Sequence, residues 1–418
     1  MTHSSDSFDY RSDGDGVPPL SSRLGTKLLA AALLVLAAGC ASPERLAPVP
    51  TENVVNAMPL GIPNARFYPG KQHDELLAEF QRAVERQRVT LGLGPDATLP
   101  PAELLAISGG GDNGAFGSGV LVGWTEAGNR PEFELVTGVS TGAILSPFAF
   151  LGPDYDAQLR DVYTTVNADD LYIERGFIDA IYNDALSDTT PLWKLISKYV
   201  DEKMMTALAA EYEKGRLLFV ASTNLDAQRP TIWNVGAIAA SGHPDAIDLV
   251  RKVLRASSAV PGVFQPVLID VEVDGTKYQE LHVDGGAIAQ IFLYPPNLDP
   301  NEIAHEKRTV YLILNAREDA TWTDVDVRTL SIAGQAISTM IHYSGINDVM
   351  RIYYMSKDEG IDFNLAYIGQ DFTTVEDGDF DQAYMKSLYE YSYQQALNGY
   401  PWKKVPPVLS GTGTAEGD

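Results

Sequence analysis

Residues Phe133 to Ala143 read FELVTGVSTGA. FELVTGVS is a short apolar, strand-like run, and a helical stretch follows from Ala143. Gly138-Val139-Ser140-Thr141-Gly142 is therefore the turn that joins a strand to a helix. A serine on so cramped a turn needs glycines beside it, because side chains there would meet the neighbouring backbone and helix. The turn presents the Ser140 hydroxyl at the strand end, over a helix N-terminus. The five-residue pattern is weak alone. Its strand–turn–helix setting makes Ser140 a candidate nucleophile.

The same strand–helix alternation extends in both directions. Upstream, LLAIS opens the pattern near Leu104. Downstream, RLLFVASTN at 216–224 and TVYLILNA at 309–316 are further strand-like runs. Helical segments fall at 115–127, 142–151, 188–214 and 243–258, and the pattern is mostly helical beyond about residue 325. Such alternation is the signature of an α/β fold, a parallel sheet flanked by helices.

Between LLAI and the first of these helices lies Ser108-Gly109-Gly110-Gly111-Asp112-Asn113-Gly114. Consecutive glycines turn with positive φ and expose their N–H groups. With the positive end of the following helix they make an anion site. Two uses fit. Gly109-x-Gly111-x-x-Gly114 matches the dinucleotide fingerprint, whose acidic partner would be Glu132 or Glu134. Both glutamates lie at the start of the next strand rather than its end, which favours the other use, an oxyanion hole for acyl transfer.

A serine hydroxyl needs a base. The chain has six histidines, and in a chain order of serine, then acid, then histidine His305 or His342 could serve, but neither sits in a glycine turn. Asp284 is the competing base. It ends the alternating run KYQELHVD and precedes Gly285 and Gly286, so it projects from a strand terminus into a glycine-rich turn. A carboxylate is ordinarily a weak base, but one shielded from water beside a serine can take its proton. His282, two residues earlier, faces the same side and reads as a structural histidine.

Of the 418 residues 45% are hydrophobic and 21% charged, as in a folded globular protein, and the net charge is −25. That field repels nucleic acid and anionic headgroups. The lone cysteine, Cys40, excludes intrachain disulfides and thiolate clusters. It follows Lys27, the apolar run Leu28 to Ala38, and Gly39. The run is short for a membrane span and, with Arg23 and Lys27 before it, reads as an export signal. The cysteine after Ala37-Ala38-Gly39 resembles the lipobox of bacterial lipoproteins, and Ala41 lacks the aspartate of inner-membrane retention. Export to the cell envelope with a lipid anchor at Cys40 is the expectation, to the outer membrane in a Gram-negative cell.

Three motifs in this order resemble the patatin-like phospholipase family: a Gly-x-Gly-x-x-Gly oxyanion motif, a Gly-x-Ser-x-Gly nucleophile turn, and an Asp-Gly-Gly base motif. Ala256 to Pro266 (ASSAVPGVFQP) and Thr223-Asn224-Leu225-Asp226 also look like family segments. The resemblance implies a patatin-like three-layer α/β sandwich with a central mostly parallel sheet and a helical C-terminal extension. It implies a serine acyl hydrolase of phospholipids, lysophospholipids or other acyl esters. Ser140 would be nucleophile and Asp284 base, with the Gly109, Gly110, Gly111 and Gly114 region as oxyanion hole, and no metal or cofactor. One departure stands out: Asp112-Asn113 occupies the place where the family often has Arg or Lys. The expected layout is a signal peptide at 1–39, a lipid-anchored tether at 40–70 and a helical lead-in at 71–103. The catalytic domain follows at 104–297, then a C-terminal α/β extension packed on the core at 298–409 and a disordered tail at 410–418. The rival readings are a Ser–His–Asp esterase and a non-catalytic nucleotide- or partner-binding lipoprotein.

Overall fold

The computed structural model describes residues 45–410 apart from 96, 175–186, 297, 299–302, 318 and 320–323. The expected signal peptide, Cys40 and all but the first residue of the tail lie outside the described residues.

The chain enters through a short strand β1 (Arg66–Phe67) and helix α1 (His73–Leu91). Next come β2 (Ala102–Ile107), α2 (Gly114–Glu126), β3 (Leu135–Val139), α3 (Thr141–Leu151) and α4 (Asp156–Thr165). A two-residue pair, β4 (Ile173–Glu174) and β5 (Ser187–Asp188), precedes α5 (Thr190–Tyr199) and α6 (Glu202–Glu213). Then follow β6 (Leu217–Asn224), β7 (Arg229–Asn234), α7 (Val235–Ala240), α8 (Ala246–Ser257), β8 (Val267–Val273) and β9 (Thr276–Asp284). The last elements are β10 (Arg308–Arg317), α9 (Thr329–Glu359), β11 (Asp362–Ile368), α10 (Gln382–Leu397) and α11 (Pro407–Ser410).

The main sheet runs β1-β7-β6-β3-β2-β10-β11, and its stretch from β6 to β11 is parallel. Alternate residues serve its two faces, as the period of a strand requires. Leu105, Ile107 and Val136 share one apolar cluster with residues of α2, α3 and α10. Leu104, Ala106 and Leu135 share the other with Leu76 and Ala83 of α1 and Val349 and Ile352 of α9. The architecture is thus helices on both faces of a mostly parallel sheet, as the sequence pattern implies.

The path of β9 positions the chemistry. β6 pairs along one edge with antiparallel β7 over Phe219–Asn224. Its other edge is shared end to end: β3 takes Leu217 to Ala221, and antiparallel β9 takes Ser222 to Asn224. Val139 pairs Ala221 and Asp284 pairs Ser222, so the end of β9 arrives where β3 stops.

Two expected boundaries change. Residues 45–70 of the expected tether are folded onto the body. Val49, Ala57, Ile62 and Ala65 are buried, and β1 pairs antiparallel with β7. The apolar residues there are spaced irregularly among prolines, so no periodicity betrayed them as core. The segment after 298, expected as an extension packed on the core, supplies strands of the main sheet itself, since β10 pairs β2 on one side and β11 on the other. Arg45 onward is one compact unit.

Candidate active site

Ser140 sits between β3 and α3 with φ 55° and ψ −123°. A non-glycine residue holds such a conformation only where its surroundings over-determine it. They do so here through two serines of the segment ASSAVPGVFQP, to which the sequence reading gave a family likeness but no role. The Ser140 N–H donates to Ser257 Oγ at 3.0 Å, and Ser258 Oγ donates to the Ser140 carbonyl at 3.2 Å. Ser257 in turn donates to the Ala221 carbonyl, fastening the turn to β6. The next residue in that segment, Ala259, accepts the Asp284 N–H at 2.8 Å. One short stretch, Ser257 to Ala259, therefore fixes both chemical groups. Gly142 is required by close approach: a Cβ there would lie 2.2 Å from the Ile107 carbonyl. Gly138, on β3, faces the backbone of Gly142.

Asp284 ends β9 and is 4% exposed. Its Oδ1 accepts the Gly286 N–H at 2.7 Å, while Oδ2 is buried with no closed hydrogen bond. Burial lifts the carboxyl pKa to about 7, against the smaller opposing effects of the Ser140 hydroxyl and the Gly286 N–H. The site thus holds a serine hydroxyl beside a carboxyl able to exchange a proton near neutrality. Gly285 packs against Ala221 behind it.

The glycine turn lies next to both. A Cβ on Gly109 would stand 3.2 Å from Ser140 Cβ. Gly110 has φ 153°, and a Cβ there would come within 2.1 Å of the Asn315 carbonyl on β10. Asn315 also donates from Nδ2 to the Ser108 carbonyl and accepts the Gly117 N–H on Oδ1, so β10 braces the turn. The four glycines are not equivalent. Gly109 N–H is committed to the Gln290 carbonyl at 3.0 Å, and Gly114 N–H to carbonyls of its own turn. Neither is free to hold an oxyanion, which corrects their expected role. Among the described residues no hydrogen-bond acceptor meets the N–H of Gly110 or Gly111.

Gln290 is a second residue the sequence did not mark. It is buried, its backbone carbonyl takes the Gly109 N–H, and its Nε2 donates to the Gly286 carbonyl at 3.1 Å. It therefore bridges the glycine turn and the base motif. Its own N–H is held by Asp348 on α9 at 2.8 Å. Asp112 and Asn113, the departure in the glycine motif, anchor the C-terminal region instead. Asp112 Oδ2 accepts the Phe380 N–H at 3.1 Å, and Tyr384 donates its hydroxyl to Asn113 Oδ1 at 2.7 Å.

The histidines take other parts. His282 is fully buried, with Nδ1 on Ser222 Oγ at 2.9 Å and Nε2 on Glu280 at 3.2 Å. Glu280 is also paired with Arg66, so this network ties β1 to β9. Burial holds the His282 pKa down. His305 is exposed, and His342 Nε2 is buried without a hydrogen-bond partner. Glu134 accepts the Glu103 N–H at the start of β2, the end of the strand remote from the glycine turn, so the acidic partner of a dinucleotide site is not supplied there. No group of His, Cys, Asp and Glu suited to a metal occurs among the described residues.

The family model described as patatin-like phospholipase matches residues 105–295. Those residues form a patatin-like phospholipase domain. The patatin-like match runs from β2 past the Asp284 turn and supports lipid hydrolysis as the class of activity. No curated protein sequence matches the chain. Among solved structures it is similar to VipD from Legionella pneumophila, at 12% identity and a TM-score of 0.34, over 72% of this chain and 67% of that one. It is also similar to human GIVD cytosolic phospholipase A2, at 10% identity and a TM-score of 0.32, over 77% of this chain and 56% of that one.

Proposed function

We propose that this chain is a serine hydrolase of carboxylic esters, a phospholipase, lysophospholipase or esterase, that cleaves lipid acyl esters through a Ser140–Asp284 dyad. The observation that carries the reading is the buried Asp284 carboxyl, with Oδ2 unbonded, beside a serine held at φ 55°. Asp284 takes the Ser140 proton as Oγ attacks the ester carbonyl. The tetrahedral oxyanion is met by the N–H groups of Gly110 and Gly111, aided by the positive end of α2. Collapse expels the alcohol, which leaves with the proton held by Asp284. Water then gives a proton to Asp284 as it attacks the acyl-Ser140 ester, the bond from Oγ to the acyl carbon breaks, Asp284 returns the proton to Oγ, and the carboxylic acid departs. A carboxyl with a pKa near 7 suits both halves, being basic enough to accept the proton and acidic enough to return it.

The test is a hydrolysis screen across lipid classes, with fluorophosphonate labelling of the same preparations. Parent protein labels and turns over acyl esters, Ser140→Ala does neither, and Asp284→Asn loses turnover by roughly 10²–10⁴-fold. Folded parent protein that fails to label at Ser140 sinks the proposal. We further propose export and lipidation at Cys40, for which the motif before that cysteine is the support. Metabolic labelling with an alkyne fatty acid should mark the parent and not Cys40→Ser; equal labelling of both rejects the anchor.

A further inference from the structure

The first half of α9 is unlike the other exposed helices among the described residues. No charged residue occurs between Arg328 and Asp348, although 21% of the chain is charged. A comparable uncharged run, 135–152, forms β3 and α3 and is mostly buried. The run in α9 is on the surface. Ile332 is 50% exposed, Ile337 51%, Met340 69% and Tyr343 53%. At 100° per residue Ile332, Ala336, Met340 and Tyr343 share one face, with Ile337 at its margin. Gly334 and Ser338, on the far side, are exposed as well, and only the flank of Ser331, Gln335 and His342 is partly covered, so the helix stands largely clear of the body over this length. A surface helix ordinarily packs its apolar stripe against a core; this one leaves Ile332, Ile337, Met340 and Tyr343 uncovered. The helix packs firmly into the body from about Gly345, with Val349 and Ile352 buried. Its exposed part is about 20 Å long at 1.5 Å per residue.

This arm adjoins the site. A Cβ on Gly345 would lie 3.6 Å from Gln290 Cβ, and Gln290 bridges Gly109 and Gly286. Asp348, one turn on, holds the Gln290 N–H. No helix among the described residues is long and apolar enough to cross a membrane, so the arm would lie on a surface rather than span it. We propose that the outward face of α9 from Ile332 to Tyr343 docks on an uncharged or zwitterionic lipid surface and presents the lipid's ester to Ser140. Charge selects that occupant. A chain at −25 is repelled by anionic lipid, and an arm without cations offers nothing to offset the repulsion, whereas a zwitterionic surface asks only for apolar area. The choice of a lipid as occupant rests on the lipid hydrolase reading.

The test uses the full chain with Cys40→Ser, so that no acyl anchor contributes. Co-sedimentation with phosphatidylcholine vesicles is measured for this parent and for Ile337→Glu and Met340→Glu, exposed positions where the fold should persist. Turnover of vesicle lipid is compared with that of soluble p-nitrophenyl butyrate. The expected result is partition lowered roughly tenfold or more by each glutamate, with the vesicle-to-soluble turnover ratio falling alike. Phosphatidylglycerol vesicles should bind the parent more weakly than phosphatidylcholine. Partition unchanged in both variants overturns the proposal, as does a parent that never partitions. So does a glutamate variant that converts a dimer to a monomer while partition stays constant, which would make the face a contact between copies. Partition that is lost as expected, in a protein that hydrolyses neither substrate, supports the docking face and rejects the hydrolase reading.

Discussion

Asp284→Asn exchanges a buried carboxyl for an amide of nearly the same shape that cannot titrate, and its effects on stability and turnover should oppose one another. In the folded protein the Asp284 pKa stands at about 7, against 3.8 for the free group. At 1.36 kcal/mol per pH unit, ionising it in place costs about 4 kcal/mol more than in the unfolded chain. Because the folded value is the higher one, the native state holds a proton that the unfolded state has released between about pH 4 and pH 7. Stability from this group is thus fully present below pH 4 and lost as pH rises through 7. Asparagine carries no such dependence. The variant's stability relative to the parent should therefore rise by about 4 kcal/mol between pH 4 and pH 8, or on the order of 5 °C for a folded body of this size. Over the same range the parent's kcat/KM should climb to a plateau with a midpoint near pH 7, and the variant's should stay near zero. Urea titration at both pH values and initial rates on a soluble ester measure the two effects. A stability difference that is equal at pH 4 and pH 8 refutes the desolvated carboxyl. Turnover in the variant within tenfold of the parent refutes its role as base.

Two further outcomes follow from the geometry. Gly110→Ala would set a Cβ 2.1 Å from the Asn315 carbonyl, a backbone atom that cannot swing aside, so the turn must shift and its N–H groups with it. The expected fall in kcat is about 10²–10³-fold at little cost in KM, and a rate within threefold of the parent would remove Gly110 from the oxyanion site. Gln290→Leu keeps the volume but loses the bond from Nε2 to the Gly286 carbonyl. With Gly286 less firmly aimed at Asp284, kcat should drop about tenfold and the midpoint near pH 7 should move upward. A lowered rate with an unmoved midpoint would leave Gln290 a purely packing role.

The motifs were legible because each is local. Ser140 between two glycines and the glycine triplet after LLAI need only their own neighbours to declare a turn, and the alternation of strand and helix names the sheet they stand on. What braces them was not legible. Gln290, Asn315 and Asp348 are ordinary residues in ordinary runs, and Ser257 lies in a motif that does not reveal its contacts; they matter because the end of α8, β9, β10 and α9 return to the same place. The same blindness put the folded segment 45–70 down as a tether and gave Gly109 and Gly114 the same oxyanion role as their neighbours, since an amide's availability depends on which carbonyl the fold sets opposite it.

The sequence by itself determined the fold class, the serine on its turn and the carboxylate before its glycines, because strand period, helix period and glycine's missing Cβ act within a few residues of the chain. Tertiary structure alone decided that Ser140 and Asp284 meet. β3 stops at Val139, and antiparallel β9 continues along the vacated edge of β6, a pairing between residues far apart in the chain. It also decided the state of Asp284: its carboxyl titrates near neutrality because the surrounding core strips it of water, and no stretch of sequence shows which side chains will close over it.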